Sequence, residues 1–276
     1  MSDPVRVGVL HPGAMGASVA ATCAGKVLWC SYGRSSDTER RARDAGASAV
    51  STLTELVEGS AVIVSVCPPG EAVTVATEVA DLGFDGIYLD ANAIAPDTAR
   101  SVATRFERFV DGGIIGPPAT RAGTTRMYLS GDDLDAVGTV ADLWAGSPLD
   151  ARPIDGGPGA ASALKMAYAL WTKVSSSLLL TARALAESEG VGDALLAEWD
   201  ISQPGTAERS EVTASMTAPK AWRFVGEMEQ IAATLEANDL PAGFGDAAAG
   251  LYARMADLRD RPDVTLAEVL DRLGRT

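Results

Sequence analysis

The chain has 276 residues, a formal net charge of −14 and a hydrophobic content of 47%. This length and composition allow a real hydrophobic core, in one large domain or two modest ones. The negative charge disfavours nucleic acid and anionic membranes, and no basic run offsets it, so we expect a small molecule as the partner.

Apolar runs alternate with helical segments through the first half of the chain. The predicted strands cover residues 5–10, 27–32, 61–66, 87–92, 108–115 and 126–130. Continuous Val/Ile-rich runs separated by helices are typical of a parallel sheet that is covered on both faces. We therefore predict a doubly wound α/β domain.

The stretch "HPGAMG" follows the first predicted strand, where dinucleotide-binding folds carry G-x-G-x-x-G. Gly13 and Gly16 occupy the second and third glycine positions, and His11 replaces the first. The second glycine lets the backbone approach a pyrophosphate and the third lets the helix pack on the strand, whereas the first serves only the turn. Proline at position 12 can make that turn another way.

This motif alone fits either a nucleotide loop or a purely structural turn. Its place after a strand and before a helix favours the nucleotide loop. The predicted cofactor contacts in this loop are His11, Pro12, Gly13, Ala14 and Met15.

The second predicted strand is followed by Arg34, Ser35 and Ser36, with no acidic residue before Asp37. An NAD site would place Asp or Glu there to hold the ribose hydroxyls, whereas arginine and hydroxyl groups suit a 2′-phosphate. We therefore predict NADP(H) as the cofactor. The alternative is that Arg34 belongs to a solvated helix start. Cys67, Pro68 and Asn92 follow later strands, where ligands of open α/β sheets bind, and we predict cofactor contacts for them.

The composition changes between residues 149 and 160, where Pro and Gly punctuate the chain and no further strand is expected. Residues 160–190 then predict one long helix, too apolar on every side to lie on a surface, so later helices or another subunit must cover it. Further helices are predicted over residues 192–199, 220–238, 244–260 and 265–273. We predict an α/β domain over residues 1–155 and a helical domain over residues 156–276.

Several classes of site are disfavoured by residue type. His11 is the only histidine, and Cys23, Cys30 and Cys67 form no C-x-x-C pair, so no zinc site of the usual kind is expected and no metal is predicted. A Ser-His-Asp triad would need the histidine of the nucleotide loop itself. With no signal-like N-terminus and no apolar run long enough for a membrane helix, we expect a cytoplasmic protein.

Taken together, these residues resemble the β-hydroxyacid dehydrogenase superfamily, which includes 6-phosphogluconate and 3-hydroxyisobutyrate dehydrogenases and the imine reductases. The matching motifs are "PGAMG", "YLDANAIAP", "DGGIIGPPA" and "GAASALKMAY", and the resemblance covers nearly the whole chain. It implies an N-terminal Rossmann domain, an all-α C-terminal domain with a long interdomain helix, and a homodimer with shared active sites.

The resemblance assigns Lys165 as the general acid or base of hydride transfer. Its apolar neighbours Leu164 and Met166 fit this role, because desolvation lowers the pKa of a lysine. The alternative is a lysine that merely reaches solvent. Tyr168, three residues later, is either a second proton donor or a core residue.

Two substrate positions of the family are altered. Ile115 stands where the family has a serine, and Ala169 stands where it has an asparagine, so a simple 3-hydroxy acid bound in the usual way is not expected. The predicted substrate-pocket residues are Ile115, Gly116, Pro117, Trp199 and Trp222.

The leading hypothesis is an NADP(H)-dependent oxidoreductase acting on a small alcohol or carbonyl compound. The alternatives are an imine reductase acting on C=N and a catalytically inactive cofactor-binding sensor or scaffold.

Overall fold

The computed structural model describes residues 3–274, which form two compact units with the boundary between Met166 and Ala167. The predicted boundary lay at residue 155, before the long helix. The first turns of that helix group with the α/β unit because they pack directly on a strand: a Cβ added to Gly113 would lie 2.6 Å from the carbonyl oxygen of Ala161. Each unit is described by itself.

The α/β unit contains one sheet, in which the described strands follow the order β3-β2-β1-β4-β5-β6-β7-β8. All neighbouring strands are parallel except the antiparallel pair β6 and β7. The strands are β1 Arg6–Val9, β2 Lys26–Cys30, β3 Ser48–Val50, β4 Val62–Ser65, β5 Ile87–Asp90, β6 Arg108–Ile115, β7 Thr125–Ser130 and β8 Leu149–Pro153. The predicted doubly wound, mainly parallel sheet is confirmed.

Two strands, β3 and β8, were missed from the sequence, and both are at the edges of the sheet. β3 has three residues, none of them buried, and β8 ends in proline and is buried only at Leu149. An edge strand lacks the continuous apolar run of a central strand, and proline is tolerated there.

Helices cover both faces of the sheet. Val62 and Val64 of β4 belong to the core on one face, and Ile63 belongs to the core on the other, as expected for a buried parallel strand. The helices of this unit are α1 Ala14–Thr22, α2 Ser36–Asp44, α3 Leu53–Gly59, α4 Ala72–Asp81, α5 Pro96–Ala103 and α6 Leu134–Asp142.

The predicted long helix is helical from Ala160 to Ser188, and the unit boundary falls inside it. It consists of α7 Ala160–Ala169, a π-helical segment Leu170–Val174 and α8 Ser175–Ser188. The other helices of the C-terminal unit are α9 Gly192–Ser202, α10 Thr206–Thr217, α11 Ala221–Glu236, α12 Gly243–Ala253 and α13 Leu266–Gly274. None of the described helices has the length and hydropathy needed to span a membrane.

Helix α10 was missed because its buried face is not hydrophobic. Its buried residues Thr206, Ser210, Ala214 and Thr217 are small and mostly polar. They recur at helical spacing, but a search for apolar periodicity does not detect them.

Candidate active site

The loop between β1 and α1 places its two glycines in different surroundings. A Cβ added to Gly16 would lie 2.1 Å from the carbonyl oxygen of His11, so only glycine allows α1 to pack this closely on the strand end. A Cβ added to Gly13 would meet no atom within 4 Å. Gly13 is the N-cap of α1, has no side-chain cap, and is followed by a first turn without acidic residues. The loop therefore leaves the positive end of a helix open to an anion.

His11 is held neutral in this loop. Burial, and secondarily the positive charge of Arg34, lower its pKa to about 4. Its Nδ1 atom is buried and has no hydrogen-bond partner in the described part of the chain. A buried polar atom of this kind calls for a partner, which a ligand or water can supply.

The end of β2 and the start of α2 form a basic rim beside the loop. Arg34 is exposed, and Ser35 caps α2 through a hydrogen bond that its hydroxyl accepts from the Thr38 N–H at 3.3 Å. Arg41, which was not predicted from the sequence, donates from Nε to the carbonyl oxygen of Pro12 at 3.3 Å.

Asn92 connects the ends of β4 and β5. Its side-chain oxygen accepts the Cys67 N–H at 2.6 Å, and its amide group donates to the hydroxyl of Ser65 at 3.0 Å. Asn92 is 2% exposed, so in this structure it positions the strand ends, and its predicted cofactor contact is limited to atoms not used in this way. Burial raises the pKa of Cys67 to about 11, which keeps it a thiol, while Pro68 is exposed beside it.

Asp90, at the end of β5, is a buried titratable group for which no role was predicted from the sequence. Its Oδ1 accepts the Asn92 N–H at 3.0 Å, and its Oδ2 has no partner among the described residues. Burial raises its pKa to about 7, and the neighbouring Asp111 acts in the same direction.

Lys165 lies against the end of β6. Its Nζ donates to the carbonyl oxygen of Ile114 at 2.5 Å, and the residue is half-buried. Ile115 is buried, whereas Gly116 and Pro117 are exposed after the strand. Gly116 has φ +125°, and its added Cβ would lie 2.3 Å from the Thr124 carbonyl oxygen, so no other residue fits there. The glycine loop and Lys165 thus lie at the same end of the sheet, at the C-terminal ends of the parallel strands β1 and β6.

The remaining predicted residues belong to the helical unit. Tyr168 is 47% exposed, which does not favour a core role within the described chain. Trp199 is 8% exposed, and Trp222 is covered by the guanidinium of Arg259 at 3.9 Å from the ring centroid. The indole N–H of Trp222 is buried without a partner among the described residues. These observations leave the substrate contacts of the two tryptophans as predictions.

Lys173 is not available as a proton donor in this unit. Its ammonium pairs with the carboxylate of Glu227 and lies 4.1 Å from the centroid of the Phe224 ring. Burial lowers its pKa, although Glu227 opposes the change. The Tyr252 hydroxyl donates to the Lys173 carbonyl oxygen at 2.7 Å, inside the π-helical segment.

Among residues 3–274, no group of three or more His, Cys, Asp or Glu side chains could hold a metal ion.

Comparison with known proteins gives three kinds of similarity. Residues 186–255 match a family described as a domain of unknown function, DUF1932. An uncharacterized 28.5 kDa protein from Methanothermus fervidus is 30% identical over 173 residues, which are 62% of this chain and 66% of that protein. The match thus covers slightly less than two thirds of that relative.

Solved structures show the fold. The 3-hydroxyisobutyrate dehydrogenase of Mycobacterium tuberculosis, solved with L-serine, superposes with a TM-score of 0.72 at 20% identity, covering 98% of this chain and 99% of that one. An imine reductase from Pseudomonas sp. gives a TM-score of 0.55 at 20% identity, covering 99% and 100%. The expected resemblance to the β-hydroxyacid dehydrogenase superfamily is confirmed in the fold, which this chain shares with both proteins.

Proposed function

We propose that this chain, which has the fold of the β-hydroxyacid dehydrogenases, is an NADP(H)-dependent oxidoreductase that acts on a small alcohol or carbonyl compound. The single observation that carries the proposal is the position of Lys165 on the sheet. Its Nζ lies at the end of β6, three strands from the glycine loop on β1. At about 4.8 Å per strand, this is a separation of about 14 Å along one ligand-binding edge.

The residues around the loop fit a dinucleotide phosphate. Gly13 leaves open space at the N-terminus of α1, and the unpartnered Nδ1 of His11 lies in the same loop. Arg34 and Arg41 supply positive charge beside it, and the first acidic residue after β2, Asp37, pairs with Arg40. No carboxylate is therefore placed to bind a ribose at the described end of β2, which supports NADP(H) over NAD(H). With the phosphates of NADP(H) bound at this loop, its nicotinamide would donate or accept the hydride.

Lys165 would supply the proton that balances the hydride. During reduction, its ammonium donates a proton to the substrate oxygen, and during oxidation its amine accepts the proton of the alcohol. The Ile114 carbonyl orients Nζ, because a hydrogen bond at 2.5 Å restricts where the ammonium can point. Ile115 replaces a hydroxyl-bearing residue with an apolar one beside this group, which supports a substrate less polar than a 3-hydroxy acid.

A panel of substrates tests the proposal. NADPH oxidation would be followed with aldehydes, ketones and cyclic imines, and the reverse reaction with small alcohols. Turnover of a carbonyl compound supports the leading reading. Turnover of imines alone would favour an imine reductase, with the half-exposed Tyr168 as the proton donor. Tight NADPH binding without turnover of any member would favour the sensor or scaffold.

We also propose a homodimer, which is supported by the exposed face of the long helix. Trp171, Leu178 and Leu185 recur every seven residues and are 75%, 67% and 61% exposed in the single chain. Large apolar side chains exposed in a row mark an association surface. Light scattering at micromolar concentration should give twice the 28.4 kDa chain mass, and Leu178→Glu should shift the protein toward the monomer. A wild-type monomer at that concentration would contradict this proposal.

A further inference from the structure

A buried carboxylate holds the N-terminus of α7 on the sheet. Asp111 of β6 is 1% exposed, and its two oxygens accept the Ser162 N–H at 2.9 Å and the Ser162 hydroxyl at 2.6 Å. The Ser130 hydroxyl donates to the same carboxylate at 3.4 Å and accepts the Ala161 N–H at 3.0 Å. The first N–H groups of this helix are therefore bonded to the sheet, where other helices often bond to water.

The same helix touches β6 at a second place. Lys165 lies three residues after Ser162, on the same side of α7, and its Nζ bonds to the carbonyl of Ile114, three residues after Asp111. Between these contacts, a Cβ on Gly113 would lie 3.3 Å from the Cβ of Lys165. Strand and helix are thus in direct contact, and the glycine allows it. A rotation or slide of α7 that broke the Asp111 bonds would also move Lys165.

We propose that Asp111, acting through Ser162, is a positioning residue for Lys165: it holds α7 in the register that keeps the lysine ammonium at the Ile114 carbonyl. The kinetic part of this inference rests on the proposed function. Its geometric part concerns only where the Lys165 amine is held.

The cost of this arrangement argues that it does more than cap a helix. Burial raises the pKa of Asp111, while hydrogen bonds from Ser162, Gly159 and Ser130 lower it. A buried carboxylate is unfavourable unless its acceptor positions are filled, and a surface carboxylate can cap a helix without that cost. Asp133 does so in the same unit, where it accepts the Ala136 N–H of α6 at 2.9 Å and pairs with Arg108. The Asp111 carboxyl group bonds α7 from within β6 with both oxygens buried, whereas Asp133 joins α6 to β6 through a partly exposed ion pair, which is a weaker tie.

Lysine labelling can test the geometric part without a substrate. The chain has four lysines, of which Lys26 and Lys220 are exposed and serve as internal references. The folded protein would be treated with a trace of an acylating reagent, and labelling of each lysine would be measured by mass spectrometry. Asp111→Asn removes one acceptor for Ser162, and Ser162→Ala removes the hydroxyl donor. Each should raise the labelling of Lys165 relative to the references by roughly tenfold, the effect of losing one hydrogen bond to a charged group.

Two variants provide matched controls. Asp133→Asn weakens a helix cap in the same unit and should leave Lys165 labelling unchanged. Ser162→Thr keeps the hydroxyl and should restore labelling toward the wild-type value. If Lys165 labelling in folded Asp111→Asn stays within about twofold of wild type, the inference is overturned. Should Asp111→Asn fail to fold, the same threshold applied to Ser162→Ala decides.

Kinetics separates this inference from the proposed function. With a substrate from the panel, kcat of Ser162→Ala should fall roughly tenfold while KM and NADPH affinity stay near wild type, because only the proton donor is displaced. An equal loss of NADPH affinity would show a general structural defect and count against positioning. If labelling changes as expected but no compound is turned over, the positioning of Lys165 stands and the proposed function fails.

Discussion

Two helices of the α/β unit pack closely on a strand through a glycine, but their N-terminal N–H groups are treated differently. At the β1–α1 loop, Gly16 allows the helix to pack on the strand, and the helix N-terminus has no side-chain cap. At the contact between β6 and α7, Gly113 allows the close approach, and Asp111 and Ser130 bond to the helix N-terminus. Each of these helices therefore has a positive N-terminal end beside the sheet.

The two junctions differ in the source of the negative charge at the helix N-terminus. At α7 the protein places its own carboxyl group, Asp111, which bonds the helix N-terminus to the strand next to Lys165. It leaves α1 open, so that a phosphate can supply the charge. We infer that the β1–α1 junction binds the cofactor and that the contact between β6 and α7 positions Lys165. They are called the binding junction and the positioning junction below, and the following predictions test this division.

The largest effect is expected at Lys165. Lys165→Met should lower turnover by roughly 10²- to 10⁴-fold, the usual loss of a general acid or base, because methionine keeps the apolar packing but carries no proton. NADPH affinity and folding should be preserved. Steady-state kinetics and fluorescence titration would measure the two quantities.

Tyr168→Phe and Lys173→Met are the controls for this variant. Lys173→Met should act on stability, by about 3 kcal/mol, because it removes the ammonium that pairs with the mostly buried Glu227 carboxylate. If Tyr168→Phe abolishes turnover while Lys165→Met keeps it within about threefold, the proton donor has been assigned to the wrong residue and the imine-reductase alternative gains.

The second effect separates the two glycines of the binding junction. Gly16→Ala places a Cβ 2.1 Å from the His11 carbonyl oxygen and should cost about 2 to 3 kcal/mol of folding stability. Gly13→Ala meets no protein atom, so it should leave the melting temperature nearly unchanged and weaken NADPH binding by about tenfold or more, since the added methyl occupies the space of the phosphate. Calorimetry and titration of both variants would show this crossed pattern. Unchanged NADPH affinity in Gly13→Ala would mean that the loop is only a structural turn.

Much of the binding junction could be predicted from the sequence, because a glycine spacing between a strand and a helix is a local signal. The β-strands of the centre of the sheet were equally accessible, since both faces are buried and the apolar runs are continuous. Edge strands β3 and β8 and helix α10 lacked those patterns, because their residues are exposed or small and polar.

Only part of the positioning junction could be predicted from the sequence. Lys165 was assigned through the resemblance, but the role of Asp111 depends on a contact with Ser162 across 51 residues, which no local pattern encodes. Arg41 was missed for a similar reason, because its bond to Pro12 joins residues 29 positions apart. The Lys173–Glu227 pair spans 54 positions, and it places Lys173 in the core of the helical unit.

The third effect concerns cofactor choice at the rim of the binding junction. Wild-type protein should bind NADPH at least about tenfold more tightly than NADH, because arginine and hydroxyl groups take the place of a ribose-binding acid. Arg34→Ala should remove most of this preference, and Arg41→Ala should remove part of it, since Arg41 also donates to Pro12. Titrations with both nucleotides would measure the ratio. Equal affinities in the wild-type protein would contradict the NADP(H) assignment.

The smallest effect is the pH dependence that His11 contributes to stability. Burial and Arg34 lower its pKa to about 4 in the folded chain, below the ordinary value of 6.5 that the unfolded chain should keep. As the pH falls below about 6.5, the unfolded chain therefore takes up this proton first, and folding stability is lost between about pH 6.5 and 4. Above that range His11 contributes no pH dependence.

His11→Gln removes this contribution while keeping a polar side chain in the loop. The fall in melting temperature between about pH 7.5 and pH 6 should be smaller in His11→Gln than in wild type by a few degrees, the size expected when about 1 kcal/mol is at stake in a chain of this length. Asp90 acts in the opposite direction, because its raised pKa, about 7, favours the folded state as the pH falls, but it is present in both proteins and cancels in the difference. If the melting temperatures of the two proteins fell equally across this pH range, His11 would titrate at its ordinary pKa. The open end of α1 would then be better solvated than the buried Nδ1 of His11 indicates.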